Sequence, residues 1–142
     1  MAYAERSLAI ACTRGREAIV IRFKELLHAE KLTEQQWRIL RILIDQGPMI
    51  GSDLTKLSCI HKASMTRIMS SLEKMGYVQR TPSDDDRRAS TVSLSESGTE
   101  LMERLMPVAN EIYKGIVNDI GLVKYRRLLS LLQDLAEINE PW

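Results

Sequence analysis

Apolar residues near the start of the chain recur at steps of three and four: Leu8, Ala11, Cys12, Gly15, Ile19, Phe23 and Leu26. That spacing places them on one face, so a first helix is expected. Gly15 costs this helix about 1 kcal/mol relative to alanine; it reflects either the close approach of another helix or a tolerated glycine. Thr33 and Gln36 form a T-x-x-Q capping box. A second helix is then expected from Glu34 to about Gln46, with Trp37, Leu40, Leu43 and Ile44 inward and Gly47-Pro48 as its stop. After a short segment, Met49 to Gly51, small polar residues at Ser52 and Asp53 suit a brief third helix ending near Ser58. The next helix runs from about Lys62 to Met75, closed by Gly76.

The period then shifts towards two. Tyr77 to Arg80 reads as a strand, TPSDDDRR as a turn, and Ser90 to Leu94 as the returning strand, with Val92 and Leu94 on one face. Ser95 can cap a long helix towards Ile120, ended by Gly121, in which Pro107 costs a hydrogen bond or bends the axis. The last helix carries Leu128, Leu131, Leu132, Leu135 and Ile138. That stripe suits a dimer formed with the first helix and its mate, or packing within one chain.

Composition narrows the class. A chain of 142 residues is near the size of one domain and buries enough surface to fold without staples. Cys12 and Cys59 are too few and too far apart for a zinc or redox motif, and free thiols suggest a reducing cytoplasm. The N-terminus lacks the pattern of a signal peptide, and no apolar run is long enough to span a membrane. A net charge of +1 gives no general attraction to polyanions. Between Lys56 and Arg80, however, five bases face one acid, Glu73, leaving that stretch at +4. His28 and His61 have no carboxylates or thiols at metal-ligand spacing, and no phosphate loop or nucleophile elbow is present. Neither an enzyme nor a bound cofactor or metal is expected.

Short helix, turn, second helix and hairpin is the order of a winged helix-turn-helix. From Leu32 to Gly98 the chain resembles the MarR family of repressors. The resemblance rests on LTEQQWRILRIL, on CIHKASMTRIMSSLEKMGYVQR, and on DDDRRASTVSLSESG, which holds a D-x-R motif as Asp85 and Arg87 and a helix start as Leu94, Ser95 and Gly98. Arg16 to Ala18, LTEQQWRI and Cys59-Ile60 are similar to the branch governing homoprotocatechuate and related aromatic-acid catabolism. The resemblance implies a mainly α fold forming one unit over residues 1–142. Its DNA-binding lobe would span 33–94, and helices at 5–30 and 100–140 would form the dimerisation region. It also implies a homodimeric repressor on a palindromic operator in double-stranded DNA, released by a small phenolic or aromatic carboxylate.

On the helix from Lys62 to Met75, an inward stripe of Met65, Ile68, Met69, Leu72 and Met75 leaves Lys62, Thr66, Arg67 and Ser70 outward. A major groove about 12 Å wide admits such a helix, and arginine suits guanine N7 and O6. Lys62, Ser64, Thr66, Arg67 and Ser70 are therefore the candidate base and phosphate contacts. Arg87 and Arg88 would lie at the minor groove. The resemblance gives Asp85 the role of orienting the wing, while Asp84 and Asp86 have none. Arg80 would reach a phosphate or pair with one of those carboxylates. For the effector, Arg16 is the candidate carboxylate anchor, since its planar fork matches two oxygens; an ordinary salt bridge is the other reading. Arg14, His28 and Trp37 are further candidates for the pocket wall. Two alternatives stand beside this: redox sensing through Cys12, which its apolar stripe instead marks as a small core residue, and a winged helix used only for protein contacts.

Overall fold

The structure, a computed structural model, describes residues 7–82 and 90–138. Helix α1 spans Leu8–Val20, followed by a 3-10 turn at Ile21–Phe23 and α2 at Lys24–Ala29. Helix α3 is Glu34–Gln46, β1 is Met49–Ile50, α4 is Gly51–Ser58 and α5 is Lys62–Lys74. Strands β2 (Val78–Thr81) and β3 (Thr91–Leu94) follow, then α6 (Glu96–Ile120) and α7 (Leu122–Ile138). This is the mainly α winged helix-turn-helix expected.

The capping box closes as its residues demand. Thr33 Oγ1 accepts from Gln36 N at 3.1 Å, and Gln36 Oε1 accepts from Thr33 N at 2.9 Å. From that start α3 becomes the centre of the core, with Ile39 and Leu40 fully buried and Trp37 and Leu43 nearly so. It packs against α4, α5, α6 and β3. Ile39, absent from the expected inward face, is covered because α3 is enclosed on more than one side. Each such aliphatic side chain contributes about 1.5 to 3 kcal/mol through burial.

Two elements differ from the sequence reading, and a third bears on an alternative that reading left open. The first helix is not continuous, since the 3-10 turn at Ile21–Phe23 redirects the chain so that Phe23, Leu26 and Leu27 enter the core. Leu8 and Ile10 on α1 stay exposed. Cys12 is exposed as well, correcting its expected place in the core; no element among the described residues covers that face of α1. Nor does anything among the described residues come within 4 Å of a Cβ built on Gly15, so no described helix approaches closely there. Second, the segment after α3 forms a strand. Met49 and Ile50 pair antiparallel with Val92 and Thr91, giving a three-stranded sheet in the order β1-β3-β2. Third, α7 buries none of its side chains, so its leucine stripe does not pack within the chain.

Helix α6 runs unbroken through Pro107. Its start is joined to the end of α5 by a compact knot. Gly76, at φ 81°, closes α5 with the Tyr77 N–H donating to Leu72 O at 3.0 Å. Ser95 Oγ accepts from Gly98 N at 3.0 Å and donates to Gly76 O. The result is backbone contact so close that a Cβ on Gly98 would sit 2.0 Å from the Tyr77 carbonyl oxygen. Because backbone on both sides must move, Gly98→Ala should cost about 3 kcal/mol, the upper end of overpacking penalties. A urea melt measures this, and an unchanged midpoint would show that the two elements can separate freely.

Candidate nucleic-acid interface and effector pocket

Helix α5, the expected recognition helix, starts from a tight turn. Cys59 takes a left-handed conformation at φ 55°, which ends α4 and swings Ile60 into the core. The turn is held by Ser58, whose Oγ accepts from Ile60 N at 3.4 Å and donates to Thr55 O at 3.2 Å. Helix α5 then buries Met65, Ile68, Met69 and Leu72. The same period leaves Lys62, Thr66, Arg67 and Ser70 exposed and Ser64 half-buried. Lys62 and Arg67 make no ion pair with another described residue. No acidic residue occupies the first turn, so the partial positive charge of the helix N-terminus adds to that of Lys62. Deeper in, Gln36 Nε2 donates to Ser71 Oγ at 2.9 Å and ties the helix to α3.

The wing continues from this helix. Val78 faces Leu94, and Arg80 faces Val92, in the β2–β3 register. Arg80 Nε pairs with the Glu73 carboxylate of α5, because β2 leaves Arg80 beside the last turns of that helix. Arg87, Arg88 and Asp84 to Asp86 lie outside the described residues.

The expected effector residues are not brought together. Trp37 is buried. Arg14 is exposed and makes no ion pair with another described residue. Arg16 is half-exposed and pairs with Glu34 at 2.8 Å and Glu17 at 3.3 Å, the salt-bridge alternative. His28 lines an open groove of about 420 Å³ with Glu17, Val20, Ile21, Lys24, Leu27 and Leu32, which holds none of the other three.

A different group surrounds Trp37. Phe23 lies with its ring centroid 5.8 Å from Trp37 and 5.4 Å from Tyr113 of α6, the latter edge-on. Arg41, one turn beyond Trp37, stacks over the Tyr113 ring at 5.8 Å. Its Nε donates to Asp45 Oδ2 at 2.7 Å, but Nη1 is buried with no acceptor among the described residues. A buried guanidinium donor is costly to leave unmet, so an acceptor placed there would be favoured. The i, i+4 step from Trp37 to Arg41 was a sequence signal for part of this group; Tyr113, far along the chain, gave none.

Among the described residues no group of three or more His, Cys, Asp or Glu side chains could hold a metal ion, and no helix is long and apolar enough to cross a membrane. Burial raises the Tyr113 phenol above its ordinary value of 10.0, with the Arg41 charge pulling the other way. The unfolded chain therefore ionises first. The contribution of the neutral phenol is complete below about pH 10 and is lost as pH rises through the raised value. Ultraviolet titration should find one tyrosine ionising late, together with stability that falls above pH 10 and falls less in Tyr113→Phe.

Residues 32–90 match the model of the MarR family. The chain is 34% identical over 134 residues to the HTH-type transcriptional regulator FarR of Neisseria gonorrhoeae, covering 94% of this chain and 92% of that protein. It is 35% identical to the homoprotocatechuate degradative operon repressor of Escherichia coli, covering 94% and 90%. A solved structure of NadR in complex with 4-hydroxyphenylacetate superposes with a TM-score of 0.87 at 34% identity, covering 94% of this chain and 95% of that one.

Proposed function

The chain belongs to the MarR family of transcriptional regulators, and on that premise we propose that it is a homodimeric repressor that binds a palindromic operator and is released by a small aromatic acid. The observation that carries the DNA reading is the outward edge of α5. Lys62, Thr66, Arg67 and Ser70 stand exposed on a helix whose opposite face is buried. Residues 33–94 form the DNA-binding lobe, with Arg87 and Arg88 reaching the minor groove and Asp85 orienting them. The terminal helices, 5–30 and 100–140, form the dimer. A second copy of the chain is the natural cover for the exposed apolar side chains of α1 and α7, including Leu8, Ile10, Leu131 and Ile138. Two-fold symmetry would then hold the recognition helices about 34 Å apart, one turn of DNA. Such a protein works in the cytoplasm.

Operator affinity should fall steeply with salt as condensed counterions are released. Arg67→Ala should cost about 1 to 3 kcal/mol on the operator if its fork reads a base, and much less on random duplex. Titrations at several salt concentrations, on a sample shown to be dimeric by sedimentation, measure both. A dimer with no affinity for its own promoter fragment would point instead to a protein-contact module.

For the effector, we assign the anchor to Arg41 in place of Arg16. The unmet Nη1 donor supports this, as do the aromatic walls of Phe23, Trp37 and Tyr113. A carboxylate on Arg41 with a ring among these side chains fits a phenolic acid, the class to which the ligand of NadR belongs. Calorimetry with 4-hydroxyphenylacetate should show binding weakened about 10- to 100-fold in Arg41→Gln, the scale of one charge-assisted hydrogen bond, and unchanged in Arg16→Ala. The opposite pattern would return the anchor to α1. Redox sensing finds no support in a resolving partner, since Cys12 and Cys59 are both free and exposed.

A further inference from the structure

One carboxylate stands between the first helix and the turn that launches the recognition helix. Glu34, in the first turn of α3, receives Arg38 as a fork, with Nε at 3.1 Å on Oε1 and Nη2 at 2.6 Å on Oε2. The remaining arm of the same guanidinium, Nη1, donates to the Ser58 carbonyl at 2.7 Å. That carbonyl ends α4, where helical partners run out and an outside donor is needed. Ser58 is buried, and the residue after it is the left-handed Cys59. From the other side Arg16 of α1 reaches Glu34 Oε2 at 2.8 Å. Among the described residues this is the ion pair that joins α1 to the helix-turn-helix. Glu34 and Arg38 are each only about one-quarter exposed, so water screens them less than a surface pair.

We propose that Glu34 and Arg38 are positioning residues for DNA reading, which set the turn between α4 and α5, and that Arg16 passes the position of the first helix into that turn. The proposal rests on the DNA-binding reading above. The geometry requires arginine at 38. A planar guanidinium can hold a carboxylate along one edge and a carbonyl on the opposite arm, whereas a lysine ammonium is a point charge that cannot fix both. Glu34 keeps the plane of Arg38 aimed, and Arg16 keeps Glu34 in its rotamer. A shift of α1 that withdraws Arg16 frees one carboxylate oxygen and loosens the aim of Arg38 without touching the face of α5. In this way the arm and the reading helix communicate through side chains that contact neither DNA nor the aromatic pocket.

The test uses the full chain, with operator and random duplexes at fixed salt and 4-hydroxyphenylacetate as the probe. Arg38→Lys keeps the charge and loses the geometry. It should lower operator affinity about 10-fold, while random-duplex affinity stays within about twofold. Glu34→Gln, close in shape, should act in the same direction and carries this arm if Arg38→Lys no longer melts cooperatively. An operator-to-random ratio equal to the parent's in both variants overturns the proposal. Arg16→Gln should bind the acid as the parent does when DNA is absent, yet show a several-fold smaller drop in operator affinity when the acid is added. An undiminished drop overturns the part given to Arg16. A parent that binds operator and ignores the acid defeats the effector reading alone, and with it Arg16 as an effector relay; the ratios for Arg38→Lys and Glu34→Gln still decide the positioning role.

Discussion

The enclosure of α3 is the constraint that the rest of the molecule answers to. Ile39 and Leu40 reach no solvent at all, so the helix can neither rotate nor slide without opening the core. Polar groups on its flanks are consequently held as if on a rigid bar. Gln36 grips Ser71 in the last turn of α5, Arg38 grips the end of α4, and Arg41 stacks over Tyr113 of α6. Three neighbouring elements take their positions from one buried helix. The same helix carries Trp37 and Arg41 of the aromatic group and Arg38, which holds the turn before α5, so the proposed effector site and the proposed reading helix share one support.

Charge is distributed to the same end. The whole chain is nearly neutral, but α5 and its surroundings are basic. The acid within that stretch, Glu73, is paired with Arg80 and so lies at the wing end of α5, away from Lys62 and Arg67. The exposed edge of α5 thus keeps its positive character without making the molecule a general polyanion binder, as a reader of specific sites requires. Elsewhere Arg104 of α6 holds Glu30 beyond α2 through two contacts, at 2.7 and 3.1 Å. These lower the Glu30 carboxyl below its ordinary value. Together with Arg22 on Asp119, this pair joins the first helical region to the long α6.

Much of this was legible from residue order. The capping box at Thr33 and Gln36, the glycine closing α5 and the alternation after Tyr77 are local signals, each decided within a few residues by backbone hydrogen bonds or by φ. The split of α5 into a buried stripe and a polar edge follows from its period. The break in the first helix was not legible, because Ile21 to Phe23 contains no glycine or proline; packing of Phe23 and Leu26 into the core bends it. The strand at Met49–Ile50 was missed for a similar reason, as two residues carry no periodicity and only the open edge of β3 makes them a strand.

The sequence by itself determined the order of elements, the face of α5 that meets solvent and the family to which the chain belongs, because these depend on spacing and on motifs read within short windows. Only the tertiary structure decided which charges were spoken for. Arg16 and Arg80 proved to be engaged with Glu34 and Glu73, whereas Arg41, marked in the string only by its step from Trp37, was left with a buried donor and no acceptor among the described residues. The physical reason is that a hydrogen bond or ion pair is settled by distances of a few ångströms between elements far apart in the chain, and linear order does not encode such distances.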